Sequence, residues 1–163
     1  MHFHGEALPE PEIGWRLYED GDFDEYVERY SDGFYELRKS IGEKPYAVKE
    51  KKCEEWRQQN LANRKNLYVF FKPGQDMTPS NLIGSALIRP DGWLDDLFVI
   101  PSLHGQGYGR KITQCMVNRC LERGLSPVSL DVVSTNTSAV QLYERLGFVV
   151  EQENTSGYGR IRK

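Results

Sequence analysis

Residues 104–110, His104-Gly105-Gln106-Gly107-Tyr108-Gly109-Arg110, set three alternate glycines directly behind an apolar run that ends at Ile100-Pro101. Glycine loses more conformational freedom on folding than any other residue, so glycines grouped where a helix begins need a use for bare backbone. A helix N-terminus supplies one, because its first N–H groups and the positive end of its dipole can hold a phosphate or pyrophosphate once no side chain blocks the approach. Arg110 and Lys111 fall in the first helical turn, where each cation is disfavoured by about 0.3–1 kcal/mol unless an anion lies nearby. The pattern points to a phosphate-bearing ligand, with a flexible connector as the plain alternative.

Two familiar anion sites fit poorly. A phosphate loop of the Walker type needs Lys followed by Ser or Thr, and Arg110-Lys111-Ile112 supplies no hydroxyl. A dinucleotide fingerprint places its third glycine one residue later than Gly109, and too little chain follows Asp131 for the further βαβ units of that fold.

Other reactive side chains are sparse. Asp95 and Asp96 are neighbours on an expected strand, so they should project to opposite faces and cannot form a shared dyad. Cys115 and Cys120 lack an evident His partner, which argues against a thiol nucleophile. With Cys53 they make neither a C-x-x-C pair nor an even set, so a disulfide framework or zinc site has no support and a reducing, cytoplasmic setting is expected. His2 and His4 alternate but show no third metal ligand.

The elements that must carry these groups follow from periodicity. Ile13–Tyr18 reads as a short strand. Acidic residues from Glu19 to Glu25 then suit the start of a helix whose apolar stripe is Phe23, Tyr26, Val27, Tyr30, Phe34, Leu37 and Ile41. A charged helical stretch runs from Pro45 to about Asn63 and is expected on the surface. Three strand-length runs come next, NLYVFF, NLIGSALI and WLDDLFVI, separated by turn residues. Residues 108–123 return to helical spacing and Gly124 ends them; VSLDVV is a strand, and Asn136 to Leu146 a helix stopped by Gly147. FVVEQE and Tyr158–Arg162 complete the set. The strand at 94–100 should be central and pair in parallel with 127–133 through a crossover. The fold class is α/β (α+β): a single domain over 13–163, with a mixed sheet of six or seven strands, about four flanking helices, and residues 1–12 as a loose end.

Composition narrows the partners. The 163-residue chain is 39% hydrophobic and 28% charged with a net charge of −3, which describes a globular protein without the basic face of a nucleic-acid binder. No apolar run approaches the ~20 residues that cross a bilayer, so no membrane partner is expected. A homodimer is left open.

The sequence His104-Gly105-Gln106-Gly107-Tyr108-Gly109 resembles the R/Q-x-x-G-x-G/A signature of the GNAT superfamily of N-acetyltransferases. NTSAVQLYERLGF at 136–148 is similar to its companion motif, in the usual order and separation. The first signature position departs from the pattern, with His104 in place of Arg or Gln. The resemblance implies binding of acetyl-coenzyme A, with the pyrophosphate on amides of Gly105, Gln106, Gly107, Tyr108, Gly109 and Arg110. It implies a pantetheine arm along the backbone of Leu97, Phe98 and Val99. Asn136 would face the coenzyme, or cap its helix, for which Asn is well suited. Acetyl transfer from a thioester needs a neutral amine, a polarised carbonyl and a protonated leaving thiolate. By the same resemblance Tyr143 donates to the sulfur, although Val140, Tyr143 and Leu146 also form an ordinary core stripe. Asp95 stands where polyamine-acetylating members draw a base that acts through water. The acceptor, an amine of a small molecule or protein, would meet a pocket shaped by the first two helices and last strands, where Tyr30, Phe34, Tyr35, Tyr46 and Trp56 could hold a cationic amine or could equally be core. The implied activity is N-acetyl transfer by direct attack without a metal; the competing readings are a non-catalytic coenzyme A-binding module and a nucleotide binder.

Overall fold

The computed structural model describes residues 1–45, 52–150, 152–153 and 160–162. In chain order the elements are β1 (His2–Phe3), β2 (Gly14–Leu17), α1 (Phe23–Ser40), α2 (Glu54–Asn63), β3 (Leu67–Phe71), β4 (Gly84–Ile88), β5 (Trp93–Val99), α3 (Tyr108–Glu122), β6 (Val128–Leu130), β7 (Val132–Val133), α4 (Thr137–Arg145), β8 (Gln152–Glu153) and β9 (Arg160–Arg162). Six strands form one mixed, open sheet in the order β1-β6-β5-β4-β3-β2, and β7, β9 and β8 form a second sheet. β5 and β6 are parallel, with Trp93 opposite Ser129 and Leu94 opposite Leu130, as the crossover reading expected. The chain divides into two compact units: Glu12–Leu87 with Asp96–Ile112, and Met1–Pro11 with Ile88–Asp95 and Thr113–Lys163.

In the Glu12–Leu87 unit, β2, β3 and β4 are antiparallel neighbours. Every residue of β3 is buried, which explains why LYVFF carries no polar alternation. Helix α1 has Asp24 and Glu25 in its first turn and Arg38 and Lys39 in its last, the charge order its dipole favours. It buries Phe23, Tyr26, Val27 and Tyr30 in a cluster with Leu67, Val69, Phe71, Leu82 and Phe98. Each such side chain, fully removed from water, contributes about 1.5–3 kcal/mol. Arg16 grips the buried Asp22 with two bonds of 2.7 Å, and the Glu19 amide adds a third at 2.8 Å. That pairing offsets the desolvation a lone carboxylate would suffer at the start of α1.

Helix α2 differs from its expectation. Its described part begins at Glu54, and it is not merely superficial: Asn60 is buried and Trp56 meets the Tyr30 ring at 5.0 Å. The stretch at 46–51, including Tyr46, lies outside the described residues.

In the other unit, the loose end expected at 1–12 is instead built in. β1 pairs with β6, Met1 is fully buried, and Phe3 stacks 5.5 Å from Phe148. Asn118 of α3 accepts from the Leu8 amide and donates to the Leu8 carbonyl, both at 2.8 Å, and Arg119 binds Glu10. Short apolar and polar residues of the N-terminal segment thus complete both a sheet edge and a helix face. The run VSLDVV, read as one strand, is interrupted at Asp131: Val128–Leu130 join the larger sheet, whereas Val132–Val133 pair with β9. The described part of the final strand expected at 158–162 is Arg160–Arg162.

Candidate functional site

β5 hands the chain to α3 through a short connection. Val99 ends the strand, Pro101–Leu103 make a single 3-10 turn, and His104–Gly107 lead into Tyr108. Gly105 and Gly107 have φ of +78° and +87°, and a Cβ on either would meet nothing within 4 Å. Their glycines therefore serve the left-handed backbone and an open surface, not tight packing. Gly109 differs, since it lies inside the first turn of α3. The first intrahelical bond, Lys111 N–H to the Gly107 carbonyl, is 3.1 Å long. The N–H groups of Tyr108 and Arg110 precede it, at the end of the helix where the dipole is positive. One of the two cations at this end has an aromatic partner, with Lys111 Nζ 5.5 Å from the Tyr108 ring centre. Arg110 is exposed.

His104 turns back onto the strand. Its Nε2–H donates to the Val99 carbonyl at 2.8 Å, and its own amide donates to the Pro101 carbonyl at 3.1 Å. Gln106 Nε2 donates to the Ser102 carbonyl at 3.3 Å. The two side chains of the turn that could reach outward are thus engaged with main chain.

Along β5, Phe98 and Val99 are buried and Leu97 is half-buried. Phe98 is enclosed by glycines that let backbones approach: a Cβ at Gly33 would lie 2.8 Å from its ring. The Ile100 amide binds the Ile83 carbonyl at 2.9 Å.

The expected plain alternation of Asp95 and Asp96 fails. Asp96 has φ of +49° and is the single non-glycine with positive φ among the described residues. Asp tolerates this conformation better than most residues, and that is the one signal the sequence offered. The Asp96 carboxylate accepts the Tyr30 hydroxyl at 2.9 Å and is half-buried, whereas Asp95 is exposed. Left-handed backbone in a strand costs about 1–3 kcal/mol and collects at functional sites.

The aromatic residues expected to shape a pocket separate into groups. Tyr30 is buried, Phe34 and Trp56 pack on the same core, and Tyr35 is exposed. A cavity of about 430 Å³ lies beside Tyr35, with Asp32 and Glu36 of α1 on one wall and Ile100, Pro101 and Ser102 on the other.

In the remaining unit, Asn136 caps α4: its Oδ1 accepts from the Ala139 amide at 3.3 Å. Tyr143 is half-buried with its ring 5.8 Å from Phe148, and desolvation pushes its phenol up to about 12. A phenol held so keeps its proton throughout the neutral range, as a proton donor must. Cys115 and Cys120 are both fully buried, and burial raises each thiol to about 12. Neither has the thiolate character that a nucleophile requires.

A sequence model of the acetyltransferase (GNAT) family matches residues 23–148, a span that includes the glycine turn, both acids of β5, Asn136 and Tyr143. The chain belongs to the GNAT family. It is 34% identical to a [ribosomal protein bS18]-alanine N-acetyltransferase of Haemophilus ducreyi over 71 residues, which are 42% of this chain and 49% of that one. It is 40% identical to the thialysine N-epsilon-acetyltransferase of Mus musculus over 55 residues, 34% of this chain and 32% of the relative. The matched segments thus span half or less of these relatives' length. A crystal structure of the NatC complex bound to Gag peptide and CoA shares the fold at a TM-score of 0.65 and 16% identity, covering 93% of this chain and 96% of that one. The open mixed sheet is therefore a GNAT sheet. No helix of the described residues is long and apolar enough to cross a membrane.

Proposed function

We propose that the chain is an N-acetyltransferase that moves an acetyl group from acetyl-coenzyme A to a primary amine of a small molecule or protein. The observation that carries this reading is the turn at Gly105 and Gly107, whose left-handed backbone and open Cβ directions leave room for a diphosphate against the start of α3. Family membership supports the coenzyme over a nucleotide as the source of that diphosphate. The NatC complex of similar fold contains CoA, and the two relatives are an alanine N-acetyltransferase of a ribosomal protein and a thialysine N-epsilon-acetyltransferase.

Acetyl-coenzyme A supplies the acyl group as an activated thioester. The acceptor nitrogen attacks its carbonyl carbon, the C–N bond forms, and the C–S bond breaks. Tyr143 gives its phenolic proton to the departing sulfur, a role supported by its place in the companion motif and by a phenol that is protonated at neutral pH. Asp95 takes the proton lost by the amine through water; its exposure suits that relay. Leu97, Phe98 and Val99 guide the pantetheine arm. Asn136 fixes the start of α4, and any contact it makes with the coenzyme is additional to its cap. Direct attack is favoured over acetylation of Cys115 or Cys120, because both thiols are buried and protonated. Asp32 and Glu36 line the 430 Å³ cavity together with Arg29, so two carboxylates against one guanidinium leave its α1 wall with a net negative charge toward a cationic acceptor.

The test is thiol release from acetyl-coenzyme A across a panel of polyamines, lysine analogues and N-terminal peptides, beside melting curves with coenzyme A, ATP and NAD. Amine-dependent thiol with stabilisation by coenzyme A alone is the expected result. Stabilisation with no thiol from any amine would select a binding module, and stabilisation by ATP or NAD instead would overturn the coenzyme reading.

A further inference from the structure

We infer that His104 is a positioning residue for the coenzyme, one that acts on the protein's own main chain rather than on the ligand. This rests on the reading that residues 105–110 hold the diphosphate. The Val99 oxygen can only accept, so the Nε2 atom 2.8 Å from it carries the hydrogen, and Nδ1 is the nitrogen left bare in the neutral ring. The bond joins two stretches that would meet different portions of one ligand. Val99 ends the strand assigned to the pantetheine arm, and His104 opens the turn assigned to the diphosphate.

Between these two residues the chain is already short and braced. The Ile100 amide is fixed to the Ile83 carbonyl, Leu103 N–H bonds the Ile100 carbonyl at 3.0 Å, and His104 N–H bonds the Pro101 carbonyl. The ring adds a link that spans from the turn to the last residue of the strand. A Gln or Arg in this place, as the family signature has it, carries a longer and more flexible side chain. The planar imidazole has only two side-chain torsions to fix, and here it is spent on the protein itself. The spacing between strand end and phosphate turn is therefore set before the ligand arrives, and a ligand that spans both gains from that preorganisation while a ligand that occupies one does not.

The experiment compares three probes, coenzyme A, ADP and pantetheine, on the parent protein, His104→Leu and His104→Gln by calorimetry or competition. His104→Leu should weaken coenzyme A about three- to tenfold, the range of one net hydrogen bond, and leave ADP and pantetheine within about twofold of the parent. His104→Gln keeps an N–H donor on a longer, more flexible side chain and should weaken coenzyme A less than His104→Leu does. ADP weakened as much as coenzyme A would make His104 a direct phosphate ligand and overturn the inference; so would coenzyme A affinity unchanged in His104→Leu, or lost equally in His104→Gln. Should His104→Leu fail to fold, imidazole nitrogen NMR of the parent decides: Nε2 must be the protonated nitrogen of the neutral ring, and a hydrogen on Nδ1 alone removes the bond. Absence of coenzyme A binding by the parent would instead sink the coenzyme reading and leave the tautomer result standing.

Discussion

A methyl group added to Gly84 would lie 2.5 Å from the carbonyl oxygen of Phe98 and 2.8 Å from Cδ1 of Ile112. One of these neighbours is main chain and the other is a fully buried side chain, so neither can step aside. Gly84→Ala should destabilise the protein by about 1–3 kcal/mol, the usual range for overpacking, read as a lower urea midpoint. An unshifted midpoint would mean that β4 and the end of β5 have more slack than their spacing indicates.

Gly107 has the opposite character, because the space around it is open and only its backbone conformation is special. Gly107→Val should cost about 1–3 kcal/mol for a β-branched residue in left-handed backbone yet leave the chain folded. If the amides after it hold the diphosphate, the same change should abolish the rise in melting temperature produced by coenzyme A. A folded variant with the full coenzyme shift would take the turn out of the binding site.

Tyr143→Phe keeps the ring that meets Phe148 and removes only the hydroxyl. Coenzyme binding should persist and kcat should drop by about 10²-fold or more, the scale of a lost general acid. Single-turnover measurement with saturating amine separates that step from product release. An unaltered rate would move the proton donor elsewhere.

Cys115 and Cys120 give the fold a defined alkaline limit. Unfolded thiols ionise from about 9, whereas burial holds these two in the folded chain to about 12. Between those values the folded state retains protons that the unfolded state has lost, so stability is complete below 9 and falls as pH rises toward 12. The slope should reach at most about 1.4 kcal/mol per pH unit for each thiol. Urea midpoints taken from pH 8 to 11 should show it, and Cys120→Ala should flatten it. In the native state the exposed Cys53 should react with a thiol reagent first, and the other two only on unfolding.

The sequence made the periodic elements plain and hid the exceptions. Helix α1 was legible because Phe23, Tyr26, Val27 and Tyr30 repeat at three and four residues and all four are buried. β3 to β5 stood out as apolar runs between turn residues. The break at Asp131 was not legible, because a single polar residue inside VSLDVV looks like ordinary alternation while the two halves pair with different strands. The N-terminal segment misled for another reason: His2, Phe3 and Leu8 have too little local pattern to reveal partners more than 100 residues away. At the candidate site the glycine turn was visible because backbone demands show in residue type. The link from His104 to Val99 was not, since a side chain that bonds main chain leaves no mark at the acceptor.

Asp96 narrows what its position can accept. Its φ of +49° admits glycine at no steric cost and asparagine at little, while the hydrogen bond from Tyr30 asks for an oxygen that glycine lacks. In a library of every residue at 96 selected for folded protein, asparagine should rank beside the parent, glycine slightly below, and valine and isoleucine last. A strand residue that in most sheets would welcome branched side chains is here a place where evolution has few letters to choose from.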